Sequence, residues 1–538
     1  MSGGYEFSHL FSASTIAFSP GTTFLATAHH NRIVVRSTAT LQVVRTWACT
    51  RPPAPLPPPF NKAKPTPSTA QDPLPADEFT IDSLQWSRDS MYLLVYSSQV
   101  KMAWVYGIAQ EGESARIGGM GVEGLLRVEW GRAGRDVLSW QEFDTKMNIY
   151  DLSTGNTSVI QNAKTGHTYS HDSRYIAVAE KHYGKEYIGV YDVLDQYALI
   201  RHHPLHTTDV QGIEWSPCGR YIAVWDSPLS YSLHIHSALG PLLAHFTPSS
   251  PTFSSTPNEI SGLGIKLVTW APSGRWIAVG GWDGKVRVLE NEGWRCVCVV
   301  AWGTRAVERS STIWREPGDW LRDTRGRGIV QFDRQPHPCT FPTNRPDSTK
   351  PMPRTGISQL TFNPSSTLLL IRLDSQPNTI HLHTFLPTPT SEQPTVTHLA
   401  SGIFAREVRR ARWNPRGNKL AVATGGGGVY VWDEESGWVE EDSGVGDASV
   451  EAGRGGNMEA VGIPTRTEFS AIDLQWSPDG TALVIQDRAQ FCLLYDGDSA
   501  EEAKEERSDE EESQADRSSF MWDGVGEGLH DVLEEGDE

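Results

Sequence analysis

The chain has 538 residues, 38% hydrophobic and 21% charged, with a net charge of −19 and six scattered cysteines. Without a C-x-x-C pair those cysteines exclude a disulfide-stapled or zinc-ribbon protein, and no apolar run approaches the roughly 18 residues of a membrane helix. The charge is unevenly placed: residues 501–538 hold 16 acidic and 3 basic residues, which is −13 of the −19, so the remainder is only mildly acidic. It lacks the basic stripe that phosphate contacts require, and nucleic-acid binding is not expected.

Met1 to Leu10 lacks the charged start and apolar middle of a signal peptide, so the chain is expected in the cytoplasm or nucleus. From Phe18 onward one pattern recurs: an alternating strand that ends in an aromatic, turn chemistry such as Ser-Pro-x-Gly, an apolar run, a tight turn and a second alternating strand. The aromatic falls at Phe18, Trp86, Trp130, Tyr169, Trp215, Trp270, Phe362, Trp413 and Trp476. With 51 aromatics in 538 residues, nine random positions hold about one. The shortest spacings, 39, 44 and 46 residues, match the period of roughly 40–45 residues of a propeller blade.

The clearest copy is residues 264–290, where Val268 and Trp270, the run Trp276 to Val279, and Val286 and Val288 predict three successive antiparallel strands. Such a meander cannot cover its own faces, so the copies must stack on one another. The array is therefore all-β: a WD-type β-propeller of nine copies over residues 1–498. Nine exceeds the usual four to eight blades. One ring competes with two smaller units, and the array length of about 480 residues favours one ring. Tyr5 to Phe11 precedes the first repeat, while the last repeat ends at Tyr495 without a following strand signal. Tyr5 to Phe11 is thus expected to close the ring from the N-terminus.

Long spacings mark insertions. Residues 51–78 are proline-rich and predict an extended spacer, with an SH3-type groove as a conceivable ligand. Residues 303–353 carry nine basic and six acidic residues and little periodicity. They read as a flexible loop in which only Thr312, Ile313 and Trp314 continue a strand. Residues 434–467 form a third insertion. Residues 499–538 form an acidic tail too charged to fold, in which Phe520, Met521, Trp522, Leu529, Val532 and Leu533 make a candidate partner-docking motif.

The third strands of two compact repeats end in Tyr150-Asp151 and Tyr191-Asp192, and Trp432-Asp433 alone carries Trp-Asp at that place. Gly166-His167 is the one Gly-His where the repeat expects it, so packing rather than a side-chain network must hold the array. A basic run of Arg406, Arg409, Arg410 and Arg412 precedes one repeat and reads as a solvated loop. Cys296 and Cys298 share one strand face.

Catalytic motifs are absent, and Gly425 to Gly428 lies between two strands rather than before the helix a phosphate loop needs. His202 with His203, and His234 with His236, could suggest metal. The second pair lies on one strand face without an acidic or Cys companion, and two ligands make no site. No catalytic residue, metal or cofactor is expected.

Residues 213–226 (I-E-W-S-P-C-G-R-Y-I-A-V-W-D), 263–289, 174–181 and 31–44 together resemble, in order, the WD-repeat family of centrosome and spindle-pole-body proteins related to the human WD-repeat protein encoded antisense to the p73 gene. The resemblance spans most of residues 5–496, leaving out the insertions and the tail. It implies a non-enzymatic scaffold at the centrosome or spindle pole body. Expected partners are a coiled-coil anchoring protein and a minus-end-directed kinesin, in a complex that tethers microtubule minus ends for the mitotic spindle. A nuclear or ribosome-linked WD-repeat scaffold is the alternative.

Overall fold

The computed structural model describes residues 4–51, 79–118, 124–132, 134–141, 146–247, 263–306, 311–346, 349, 354–386, 395–434, 455–465 and 468–496. Nine blade sheets follow one another, each built on an antiparallel meander of consecutive strands. Blades 1 to 9 occupy residues 15–48, 83–118, 125–161, 163–204, 212–246, 265–301, 357–403, 410–462 and 473–496.

In six of the nine blades the turn after the first strand is written into the residue that follows the aromatic. The hydroxyls of Ser19, Ser87, Ser170, Ser216 and Ser477 accept the backbone N–H five residues on at 2.9–3.0 Å, and the Asn363 side-chain oxygen does the same for Leu368 at 2.8 Å. A short polar side chain satisfies a donor that the turn would otherwise strand. Second strands such as Trp276–Gly281 and Leu368–Leu373 are then apolar on both sides because both faces of a blade are covered. Outer strands such as Ala198–Pro204 are mostly exposed.

Each of the nine repeat aromatics stands in a different core cluster, always at the junction with the preceding blade. Trp86 joins blades 1 and 2, Trp130 joins 2 and 3, Tyr169 joins 3 and 4, Trp215 joins 4 and 5, and Trp270 joins 5 and 6. Phe362, Trp413 and Trp476 carry the series on to blades 8 and 9, and Phe18 packs with Ala482, Val484 and Phe491 to join blade 9 to blade 1. The junctions run full circle, so the nine copies form one ring.

Four indoles add a hydrogen bond to the packing. Trp86, Trp130, Trp413 and Trp476 donate Nε1–H to the carbonyls of Ala17, Gln85, Thr361 and Arg412 at 2.9–3.2 Å. In every case the acceptor is the residue just before the aromatic of the previous blade. The same position reaches forward with its side chain: Gln85 Oε1 accepts the Trp130 backbone N–H at 3.3 Å, and Thr168 Oγ1 accepts that of Trp215 at 3.0 Å. Glu214 likewise accepts the Trp270 backbone N–H, while burial pushes its carboxyl up to about 7.

The ring closes as expected. Tyr5–Phe7 pairs antiparallel with Gln490–Asp496, and Phe11–Ser12 pairs with the start of the same strand. The two sheet edges that closure removes would otherwise be open to pairing with other chains.

Two expectations about the insertions are corrected. Residues 303–353 do not read through as a loop. Thr312–Arg315 adds in parallel to the outer strand of blade 7, Asp333–Arg334 extends that sheet, and Gly328–Gln331 adds to the outer strand of blade 8. Trp314, Trp320 and Phe332, each at most 4% exposed, drop into the core between the two blades. Glu316 accepts hydrogen bonds from Trp320 Nε1, the Tyr430 hydroxyl and the Ala405 backbone N–H at 2.6–2.7 Å. The added strands are two to four residues long, too short for a period to be visible. Within residues 434–467, Asn457–Gly462 is the regular outer strand of blade 8 rather than insertion. The proline-rich stretch 52–78 and the tail from residue 497, with its candidate motif Phe520 to Leu533, lie outside the described residues.

Gly428 takes part in the same buttress. A Cβ there would stand 2.7 Å from the Trp320 ring, so its bare backbone is what lets the inserted tryptophan lie against blade 8.

Two outcomes follow from the junctions. Trp86→Phe should cost about 1 kcal/mol more than Trp270→Phe in denaturant unfolding, because it removes the buried hydrogen bond from Nε1 to the Ala17 carbonyl, whereas Trp270 Nε1 has no partner among the described residues. Deleting residues 1–12 removes the partly buried Tyr5, Phe7 and Phe11. It should lower stability by about 3 kcal/mol or more, read as a drop in unfolding temperature.

Candidate interaction surfaces

Exposed apolar side chains are concentrated on two of the nine blades. Of 16 large apolar residues exposed among the described ones, eight lie on blades 4 and 5, including Leu199, Ile200, Leu239, Leu242 and Leu243. A cavity of about 380 Å³ opens between the outer parts of these blades, lined by Tyr175, Val190, Ile200, Trp215 and Leu239, with Arg201 among its polar residues. Apolar groups gathered beside a cleft, rather than scattered singly, mark a surface suited to a protein partner. Sequence patterning did not reveal it, because Leu199 and Leu242 occupy outer strands whose faces only the neighbouring blade defines.

A second cavity, about 460 Å³, lies between blades 6 and 7 and is lined by Cys298, Val300, Trp302, Phe341, His383 and His398. His381 holds Ser401 Oγ and Gln376 Oε1, both at 2.8 Å, and His398 shares the same Ser401 hydroxyl at 2.7 Å. Burial holds His381 and His383 well below the ordinary imidazole range and His398 down to about 4. Burial also pushes the thiols of Cys296 and Cys298 up, to about 11 and about 12, and both are free.

The histidine pairs singled out in the sequence divide. His234 and His236 share a face, as expected, but His234 stacks on His245 at 4.3 Å and holds Ser232 Oγ at 2.8 Å, whereas His236 Nδ1 faces the Gly240 carbonyl at 3.2 Å. They do not converge on a common point. His202 instead meets two residues that the sequence did not bring forward, Glu180 and His182. Their signal was Glu-x-His at strand spacing, unmatched until the outer strand folded beside it. In the basic run, Arg406 donates to the Gly425 carbonyl at 3.1 Å, and Arg410 pairs with Asp473 at 3.2 Å.

Residues 252–289 match the family of the WD domain, G-beta repeat. The mouse WD repeat-containing protein WRAP73 is 25% identical over 510 residues, covering 91% of this chain and 96% of its own length. The chain is a WD-repeat protein and a homologue of WRAP73. A Schizosaccharomyces pombe WD repeat-containing protein, C32H8.09, is 22% identical over 174 residues, 31% of this chain and 34% of its own. Among solved structures, a eukaryotic initiation factor aligns at TM-score 0.47 with 11% identity, over 78% of this chain and 85% of that one. Kluyveromyces lactis Hsv2 aligns at TM-score 0.38 with 10% identity, over 73% and 99%.

In this WD-repeat ring the Gly-His histidine serves an inter-blade contact. His167 Nε2 lies 3.3 Å from Glu129 of blade 3, and its ring sits 4.9 Å from Trp140. The Asp that follows the third-strand aromatic turns the chain as expected. Asp151 takes hydrogen bonds from Ser153 and Thr154, which hold its carboxyl down at about 2.

The buried imidazoles set a pH dependence. A ring with a folded pKa of about 4, such as His398, and an unfolded value near 6.5 leaves full stability above about pH 6.5. That stability is lost as pH falls toward 4, because the unfolded chain takes a proton the folded one refuses. Each such ring accounts for about 2 kcal/mol by pH 5. Urea unfolding of His398→Phe at pH 7.5 and pH 5 should show a smaller acid loss than the unmodified chain by about that amount.

Proposed function

We propose that this chain is a non-catalytic scaffold at the centrosome or spindle pole body. In this role it holds a coiled-coil anchoring protein and a minus-end-directed kinesin, and so tethers microtubule minus ends during mitosis. The observation that carries the reading is the co-linear similarity to WRAP73 along 91% of this chain and 96% of that protein, together with the in-order resemblance to the centrosome and spindle-pole family. A closed ring with an apolar rim on blades 4 and 5 and a buttressed edge on blades 7 and 8 is the kind of rigid support that holds several proteins at once.

The chain, tagged at its N-terminus and expressed in mitotic cells, should concentrate at the spindle poles. Its purification should enrich a coiled-coil protein and a kinesin. Diffuse or nuclear fluorescence with recovery of ribosomal or chromatin proteins instead would reject the reading in favour of the other scaffold class.

A further inference from the structure

One face of blade 4, toward the Tyr183–Gly184 hairpin, brings together Glu180 and His182 from the second strand (Tyr175–His182) and His202 from the fourth (Ala198–Pro204). Alternation explains how. Glu180 pairs with Tyr187, His202 pairs with Gly189, and Tyr187, Gly189 and Tyr191 follow at every second residue of the third strand, so all of these side positions share one face. Both histidine Nε2 atoms point at the same carboxylate oxygen, Glu180 Oε2, at 2.7 Å from His182 and 3.2 Å from His202.

The carboxylate is held for this task. Glu180 is 3% exposed, and its other oxygen accepts the Tyr191 hydroxyl at 2.5 Å. Its space exists because the third strand has a glycine two residues beyond its partner Tyr187: a Cβ at position 189 would stand 2.1 Å from Glu180 Oε1 and 2.6 Å from the Tyr191 ring. The imidazoles are oriented from behind. The Tyr187 ring stacks on His202 at 4.6 Å with planes 9° apart. Asn162 Nδ2 lies 3.2 Å from His182 Nδ1, and a half-turn of that amide puts its oxygen there to accept Nδ1–H, which frees the Nε2 lone pair.

We propose that Glu180, His182 and His202 form a binding site for a zinc-type divalent cation. The three donor atoms lie within 4.8 Å of one another. Ligands of one tetrahedral ion at about 2.0–2.1 Å stand about 3.3 Å apart, so the two Nε2–Oε2 distances need only open slightly to admit it. Two neutral imidazoles and one carboxylate are a borderline donor set that suits zinc rather than magnesium or calcium. One carboxylate oxygen facing two imidazole nitrogens is contacted twice over, whereas a cation between them uses all three lone pairs at once. Tyr191 and Asn162 are the outer partners that fix such ligands. The half-buried histidines leave the fourth position open to water or to a donor from a partner protein, and the ion would clamp the outer strand of blade 4 to the second across the third.

The test is titration of the full chain, stripped of metal under a phosphine reductant, with zinc chloride alone and with cobalt(II). The expected result is one equivalent bound, with the weak visible bands of a nitrogen and oxygen tetrahedral site and no thiolate charge-transfer band. His182→Asn and His202→Asn should each weaken binding by about 100-fold or more, and Tyr191→Phe by about 10-fold. Gly189→Ala should abolish binding by displacing the carboxylate. Affinity unchanged in the histidine variants, a thiolate band that puts the metal on cysteine, or no stoichiometric binding by the unmodified chain would each overturn the proposal. The two exposed-side histidine variants are read separately, and an unchanged metal-free melt shows that either one retains the fold.

Discussion

The ring rests on one contact made nine times: the aromatic that ends each first strand is driven into the seam with the blade before it. A four-stranded sheet has two apolar faces and no means of covering either, so its stability is borrowed from its neighbours. The aromatic packs against side chains of the preceding blade. In Trp86, Trp130, Trp413 and Trp476 it also supplies a directed hydrogen bond that sets how far around the previous first strand the next blade sits. The carbonyl it uses belongs to the residue whose side chain, in Gln85, reaches forward onto the next blade. Packing and hydrogen bonding therefore select the same register.

An array that depends on neighbours fails at its ends, and the chain treats its ends and edges as one problem. The N-terminal Tyr5–Phe7 completes blade 9, which converts a row of sheets into a ring. The insertion after blade 6 lays strands on the outer edges of blades 7 and 8 and anchors them with Trp314, Trp320 and Phe332. Those edges are covered, while the outer strands of blades 4 and 5 are left with exposed leucines. The asymmetry gives the ring a sealed side and an adhesive side, which suits a scaffold better than a uniform wheel would.

Polar groups inside the blades follow the same logic of local satisfaction. Histidines at His234, His381 and His398 stay neutral in the seams because burial penalises the charged ring, and the hydroxyls of Ser232 and Ser401 give each ring a hydrogen bond. Glu316 gathers three donors at the point where the insertion meets blade 8. These are buried polar groups with partners, which fix position while costing little.

What the sequence by itself determined was the repeat. Strand alternation, the aromatic at each first-strand end and the turn residue after it are all local, and they made nine blades and the closing role of Tyr5 to Phe11 legible before any coordinates. Whatever depends on atoms distant along the chain was decided only by the tertiary structure. Thr312 to Trp314 read as a strand, but charged composition concealed the inward-facing Trp320 and Phe332, and the sheet that Thr312–Arg315 joins has its edge some 85 residues later, at Thr395–Ile403. The meeting of Glu180 and His182 with His202 was equally hidden, because side chains on separate strands become neighbours through sheet register, and register follows from how the blades pack.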